Sequence, residues 1–341
     1  MIDKSEIFYD KSKAMSYNAM INFIMGGRGV GKTFAYKLWA CTKRWETVWV
    51  RRRVEDIQEL AKGDRFYADL VGEGVVSPDT DFYVDTSGVW IDGEKKIHFV
   101  PLSVATRRKS ISFHNTDTMI FDEVFEEKDP KNPNKGRYLP DEVTDFLGLF
   151  ETVNRMRLPD SGRPELRAFL LGNKTTFDNP YFSYWGIYPF SDRFRTYKNG
   201  LILVENYRNE AFIELKKQTR FGQLIDGTDY GNYAIENIAW YDDNAFIEKR
   251  KPTAKYVCSI RLDDAKIGLW LDENLLFCSQ KFNPSGKTFA KQYDCIDDEI
   301  PLKRKEAPLT WIENYYYAGK LRFEDNICKN RVFRLMQAEY K

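Results

Sequence analysis

Cysteine is sparse in this chain and never clustered. The five residues Cys41, Cys258, Cys278, Cys295 and Cys328 are odd in number, widely separated and nowhere in a C-x-x-C pattern. That usage excludes a disulfide framework and a cysteine-based zinc site, and it fits a reducing cytoplasm. Charge of one sign is lacking as well. The 52 Lys and Arg residues stand against 51 Asp and Glu, for a formal net charge of +1. The chain therefore has no general attraction to a polyanion, and any nucleic-acid contact must come from local basic patches. No apolar run approaches the roughly 20 residues needed to span a bilayer, and no secretory signal pattern is visible. A soluble protein with no membrane partner is expected. Internal repeats and low-complexity tracts are missing too. What is present is ample for globular folding: 43% of the residues are hydrophobic and 15% aromatic. At 341 residues the chain exceeds one comfortable hydrophobic core, so two domains are expected.

The most informative stretch is Gly26-Gly27-Arg28-Gly29-Val30-Gly31-Lys32-Thr33, which matches G-x-x-x-x-G-K-[ST] at every specified position. It follows the apolar run Ile21 to Met25 and opens a helical segment, Phe34 to Cys41. Strand, glycine loop and helix in that order form the context in which this motif cradles a polyphosphate. The glycines let backbone N–H groups approach the phosphates, and the helix N-terminus adds a favourable dipole. Lys32 is expected to reach the β- and γ-phosphates of ATP, and Thr33 to ligate Mg²⁺.

Around this motif, apolar strands alternate with helical patterns, which predicts an α/β fold with a parallel sheet. Thr47 to Val50 reads as a strand ending in Arg51-Arg52-Arg53. From Phe82 to Leu102 the pattern changes to three short β runs separated by turn residues, an inserted β-meander. Thr118 to Phe121 is an apolar strand ending in Asp122-Glu123. After a polar loop, Glu126 to Arg137, comes a helix beginning near Pro140 to Glu142. Its stripe, Val143, Phe146, Leu147, Phe150 and Val153, packs inward at helical spacing. Another strand, Arg167 to Leu171, stops at Gly172-Asn173. The expected division is an N-terminal ATPase domain over 1–207, a linker over 208–238, and a small α+β domain over 239–341. Three β runs open the last of these, and helical patterning covers Leu309 to Gln337.

Hydrolysis needs carboxylates on a neighbouring strand. Asp122 stands where a strand-end aspartate holds Mg²⁺, and Glu123 is placed to orient and deprotonate water. Two adjacent acids favour an ATPase over a kinase. Asn173 reads either as a sensor of the γ-phosphate or as a strand-end cap. Arg155 follows the long helix off its apolar stripe. It is either an arginine finger reaching a neighbouring subunit or the partner of Glu151 at i, i+4. Lys128, Lys131, Lys135 and Arg137, in the loop after the carboxylates, are candidates to grip a DNA backbone without reading sequence. Solvated charge is the alternative for these and for Arg107-Arg108-Lys109.

Taken in order, Ile24 to Thr33, Val50-Arg51-Arg52, Pro101 to Val104, Ile120 to Glu123 and Thr219-Arg220-Phe221-Gly222-Gln223-Leu224-Ile225-Asp226-Gly227-Thr228 closely resemble the DNA packaging ATPases of small protein-primed podophages, the salasvirus or phi-twenty-nine group. The Thr219 to Thr228 stretch is the most specific of these, since no catalytic role requires it. The resemblance implies a P-loop NTPase domain of the ASCE type, followed by a linker and an RNase H-like C-terminal domain reduced to a binding module. It implies a homopentameric ring that docks on the portal (connector) protein of a procapsid and drives double-stranded DNA inward, with a packaging RNA as a further partner. It implies an arginine finger at Arg155 and a second in-trans basic residue at Lys109. It also implies residence in the infected host's cytoplasm and transiently on the portal vertex, with none in the mature virion. A terminase-like ATPase with an active nuclease is the alternative. The first strand of the C-terminal meander, Tyr256 to Leu262, has no acid in its interior, and Asp263 and Asp264 fall in its turn.

Overall fold

The computed structural model describes residues 8–338 apart from 64, 75, 78, 109–112, 127–137, 156, 158–161, 174–178, 188–191, 229–230, 232–234, 236–245, 263–264, 292–294, 297 and 304–305. Two compact units form. One comprises Met1–Thr175 and Phe190–Trp240, the other Thr176–Pro189 and Tyr241–Lys341. The stretch 208–238, read from the sequence as a linker, clusters with the first unit. Helix Pro180–Trp185, although it lies between strands of the first unit, clusters with the second.

A nine-stranded sheet forms the frame of the first unit. Within it lies β1 (Ile21–Gly26), flanked by strands on both sides, whose six residues are all buried. β2 spans Glu46–Arg51, β3 Phe82–Asp85, β4 Gly88–Ile91, β5 Glu94–Pro101, β6 Thr116–Asp122, β7 Arg167–Asn173, β8 Phe194–Tyr197 and β9 Ile202–Tyr207. The spatial order is β3-β4-β5-β2-β6-β7-β1-β9-β8. β5, β2, β6, β7, β1 and β9 run parallel, and β8 closes the edge antiparallel to β9. Cover on both faces explains why the central strands read as unbroken apolar runs. The inserted meander is present as the antiparallel set β3, β4 and β5. Because β5 also pairs with β2, the meander extends the main sheet.

Aromatic side chains fill the space between this sheet and its helices. Helix Lys32–Thr42 buries Tyr36 and Ala40. Tyr36 packs at 4.9 Å from Phe169 of β7, with Trp39 at 5.6 Å from the same ring. Trp49, Phe66 and Phe99 form a second stack, at 5.3 and 5.5 Å. Helix Glu142–Asn154 buries Val143, Phe146, Phe150 and Val153 as its stripe predicts. Leu149 is fully covered where Leu147 was expected to be, and Glu142 is buried at the helix start.

The second unit contains a six-stranded mixed sheet. β10 (Lys255–Leu262), β11 (Ala265–Asp272) and β12 (Leu275–Ser279) form an antiparallel meander. β13 (Thr288–Ala290) lies parallel to β10, and β14 (Ile300–Pro301) parallel to β13. β15 (Leu321–Phe323) pairs with β12 at the other edge. Its core gathers Cys258, Cys278 and Cys328 with Ile267, Leu269 and Phe323. Burial pushes the Cys258 thiol up to about 11, so these cysteines are inert apolar filler. The helical pattern expected over Leu309 to Gln337 is interrupted. Helix Leu309–Tyr317 stops at Gly319, whose φ of +69° is the left-handed cap conformation glycine supplies. The chain then makes β15 before helix Asn326–Ala338 begins. Among the described residues no helix is long and apolar enough to cross a membrane, and no group of three His, Cys, Asp or Glu side chains could hold a metal ion.

Phe169 has no exposed surface and supports the helix that follows the glycine loop. Phe169→Ala is expected to cost about 3–5 kcal/mol. Urea unfolding of the full chain checks this, and a loss below about 1 kcal/mol would contradict the packing described.

Candidate active site

Parallel register brings the chemistry to one edge. Gly26 at the end of β1 lies opposite Asn173 at the end of β7, and Asp122 at the end of β6 lies opposite Leu171. The glycine loop, both carboxylates and Asn173 therefore emerge together at the carboxyl ends of adjacent strands, where open α/β sheets bind ligands.

The loop has the backbone its sequence calls for. Gly29 and Gly31 adopt φ of +85° and +89°, a region where side chains are strained. Gly31 then caps helix Lys32–Thr42. Lys32 is buried, and its Nζ donates to the carbonyls of Gly26 and Gly27 at 2.9 and 2.8 Å. A longer contact at 3.4 Å reaches Asn173 Oδ1. Thr33 Oγ1 donates to Asp122 Oδ1 at 2.9 Å. That bond joins the loop to the acidic strand end, as expected if the two share a cation. Arg28 is exposed and lines two adjoining clefts of about 310 and 330 Å³. Gly27 and Val30 are buried beneath the loop.

Glu123 departs from ordinary backbone. Its φ is +60°, which for a side chain other than glycine or asparagine is strained by about 1–3 kcal/mol and concentrates at functional sites. The turn lifts its carboxylate to 74% exposure while Asp122 stays buried. Arg51, at the end of β2, stands between them, with Nη1 at 2.9 Å from Glu123 Oε2 and 3.4 Å from Asp122 Oδ2. Burial works against the charge on Arg51, yet the two carboxylates outweigh it and raise its pKa.

In the sequence Arg51 and Arg52 belong to a run of three arginines, for which solvated charge is the ordinary expectation. The structure makes them internal instead. Arg52 is 5% exposed and forms a paired contact with Glu142, Nε to Oε2 at 2.7 Å and Nη2 to Oε1 at 2.8 Å. Burial opposes its charge, but the Glu142 hydrogen bonds and the Glu142 and Glu126 charges raise its pKa. The signal was available in part, because helix Glu142–Asn154 opens with an acid on its covered side. A spacing of 90 residues between Arg52 and Glu142 carries no pattern that would pair them.

Arg155 follows helix Glu142–Asn154 and is exposed, with no ion pair to Glu151 or any other acid among the described residues. Arg157 turns back instead, donating to the carbonyl of Pro164 at 2.7 Å. Lys109, Lys128, Lys131, Lys135 and Arg137 lie outside the described residues, as do Asp263 and Asp264.

The model of the family described as Podovirus DNA encapsidation protein (Gp16) matches residues 2–339. The chain belongs to that family. Among its relatives, the DNA packaging protein of Bacillus phage phi29 is 32% identical, with 98% of each chain covered. The solved structure of the bacteriophage phi29 viral genome packaging motor assembly contains a chain similar to this Gp16-family member, with a TM-score of 0.75 at 29% identity. It covers 97% of this chain and 99% of that one. The crystal structure of the N-terminal domain of the phi29 DNA packaging ATPase aligns with 60% of this chain and 98% of its own, with a TM-score of 0.50 and 30% identity.

One glycine at the site has no room for a side chain. A Cβ on Gly172 would lie 2.3 Å from Phe125 Cδ2. Gly172→Ala is expected to cost about 1–3 kcal/mol through overpacking, and adding Phe125→Leu should recover part of it. Chemical unfolding of the two variants checks this; equal stability of wild type and Gly172→Ala would contradict it.

Proposed function

We propose that this chain is an ATP-hydrolysing motor subunit that translocates double-stranded viral DNA into a procapsid. The observation that carries the enzymatic part is the Thr33–Asp122 hydrogen bond at 2.9 Å beside the exposed Glu123. The names of the phi29 relatives, a DNA packaging protein and a packaging ATPase, support the biological part.

In this reading the loop N–H groups from Gly26 to Thr33 bind the phosphates of ATP, and Lys32 exchanges its loop carbonyls for phosphate oxygens. Thr33 and Asp122 supply the hard oxygen donors that suit Mg²⁺, which when bound neutralises charge building on the phosphates. Glu123 orients water and takes its proton. Arg51 sets the direction of both carboxylates, and Asn173 senses the γ-phosphate. Arg155, exposed and unpaired among the described residues, is the arginine finger for the next subunit of a homopentameric ring, and Lys109 is a second in-trans cation. Lys128, Lys131, Lys135 and Arg137 grip the DNA backbone. The remaining partners are the portal protein and a packaging RNA, met in the cytoplasm of an infected cell. The second unit is an RNase H-like binding module without nuclease chemistry; the absence of an acid from the interior of β10 supports the lack of that chemistry.

Glu123→Gln keeps the size of the side chain and removes the base. ATP turnover should fall about 10²- to 10⁴-fold while the affinity for a fluorescent ATP analogue stays within a few-fold; wild-type turnover would reject the role of Glu123. Arg155→Ala should abolish turnover alone, and mixing it with Glu123→Gln protein should restore part. No restoration would argue against an in-trans finger.

A further inference from the structure

Arg52 has no contact with the carboxylates that do the chemistry, yet it uses its whole guanidinium beside them. Nη1 donates to the carbonyl of Glu123 at 3.2 Å and lies 2.6 Å from Glu126 Oε1. Nη2 donates to the carbonyl of Val124 at 2.7 Å and to Glu142, and Nε takes the other oxygen of Glu142. Four of the five N–H donors of the side chain are thus in hydrogen bonds, and the Glu126 carboxylate adds an ion pair on the Nη1 side. The flat group also stacks over Phe121 and Tyr138, at 5.5 and 5.1 Å. Glu142 has no exposed side-chain surface and additionally accepts the backbone N–H of Leu139 at 2.8 Å.

This arrangement grips the turn at Glu123 by its backbone. The two carbonyls that Arg52 holds belong to the two successive peptides that follow the left-handed residue, and the same guanidinium is anchored on the first turn of helix Glu142–Asn154. At the far end of that helix stands Arg155. We propose that Arg52 is a positioning residue for hydrolysis: it fixes the turn that aims Glu123 and ties that turn to the helix preceding Arg155. The proposal rests on Glu123 acting on water. It differs from the role of Arg51, which touches the carboxylates themselves.

A lysine cannot substitute, because three donors on a point charge do not span five acceptors arranged around a plane. A paired apolar replacement can keep the fold, since buried ion pairs often exchange for hydrophobic residues at little cost.

The test compares the full chain with Arg52→Met/Glu142→Leu and with Arg52→Lys. It measures kcat, affinity for a fluorescent ATP analogue, and thermal unfolding. The expected result is a double variant that unfolds near the wild-type temperature and binds nucleotide normally, with kcat lower by about 10²-fold, the scale of a misplacement near 1 Å. Arg52→Lys should bind normally and lose at least about tenfold in kcat. Wild-type kcat in either folded variant would overturn the proposal. So would an affinity loss matching the loss of kcat, or failure of Arg52→Lys to fold, because each makes Arg52 a scaffold residue. If Glu123→Gln turns over normally, the reading of Glu123 fails first. If it is inactive while the Arg52 variants are active, only the role of Arg52 falls.

Discussion

Buried charge that must be compensated orders the carboxyl edge of the nine-stranded sheet. Lys32, Arg52, Asp122 and Glu142 are all covered there, and each would be costly to bury alone. Asp122, Arg52 and Glu142 find partners on other segments, and Lys32 finds them within its own loop. Lys32 lies on loop carbonyls, Asp122 on Thr33 and Arg51, and Arg52 on Glu142 and the turn after β6. Removing one partner leaves its counterpart stranded, so these pairs lock the ends of β1, β2 and β6 to the loop and to the long helix.

The opposite flank of the loop is held by other means. Tyr9 donates its backbone N–H to the carbonyl of Val30 at 2.8 Å and its hydroxyl to Glu205 at 2.8 Å. Glu205 is fully buried on β9 and pairs with Arg193, while burial raises its carboxyl above the usual range. Lys216, on helix Glu210–Gln218, donates to the carbonyl of Arg28 at 2.9 Å. That contact gives a physical reason why the stretch read as a linker clusters with the ATPase unit, since a lysine after two turns of helix reaches back to the phosphate loop.

What the sequence displayed was local. The glycine loop, the strand ending in Asp122-Glu123 and the stripe of the long helix are each carried by neighbouring residues with a period or a fixed spacing, and each lies in the structure where the pattern placed it, apart from Leu149 taking the buried place expected of Leu147. The roles of Arg51 and Arg52 were hidden because an arginine run looks the same whether it is solvated or turned inward, and only the pairing of β2 with β6 brings those residues to the carboxylates. The break at Gly319 was legible as a glycine but not as a cap, because β15 is only three residues long and apolar residues continue on both sides. The left-handed backbone at Glu123 had no sequence signal, as no glycine or asparagine marks it.

The central claim is that this edge hydrolyses ATP in the service of moving duplex DNA. The most direct measurement is steady-state ATP hydrolysis by the full chain as double-stranded DNA is added. The account predicts multiple turnovers that accelerate with duplex length and lose that acceleration as salt rises, because the grip is on phosphates. A turnover rate indifferent to duplex DNA at low salt would contradict it.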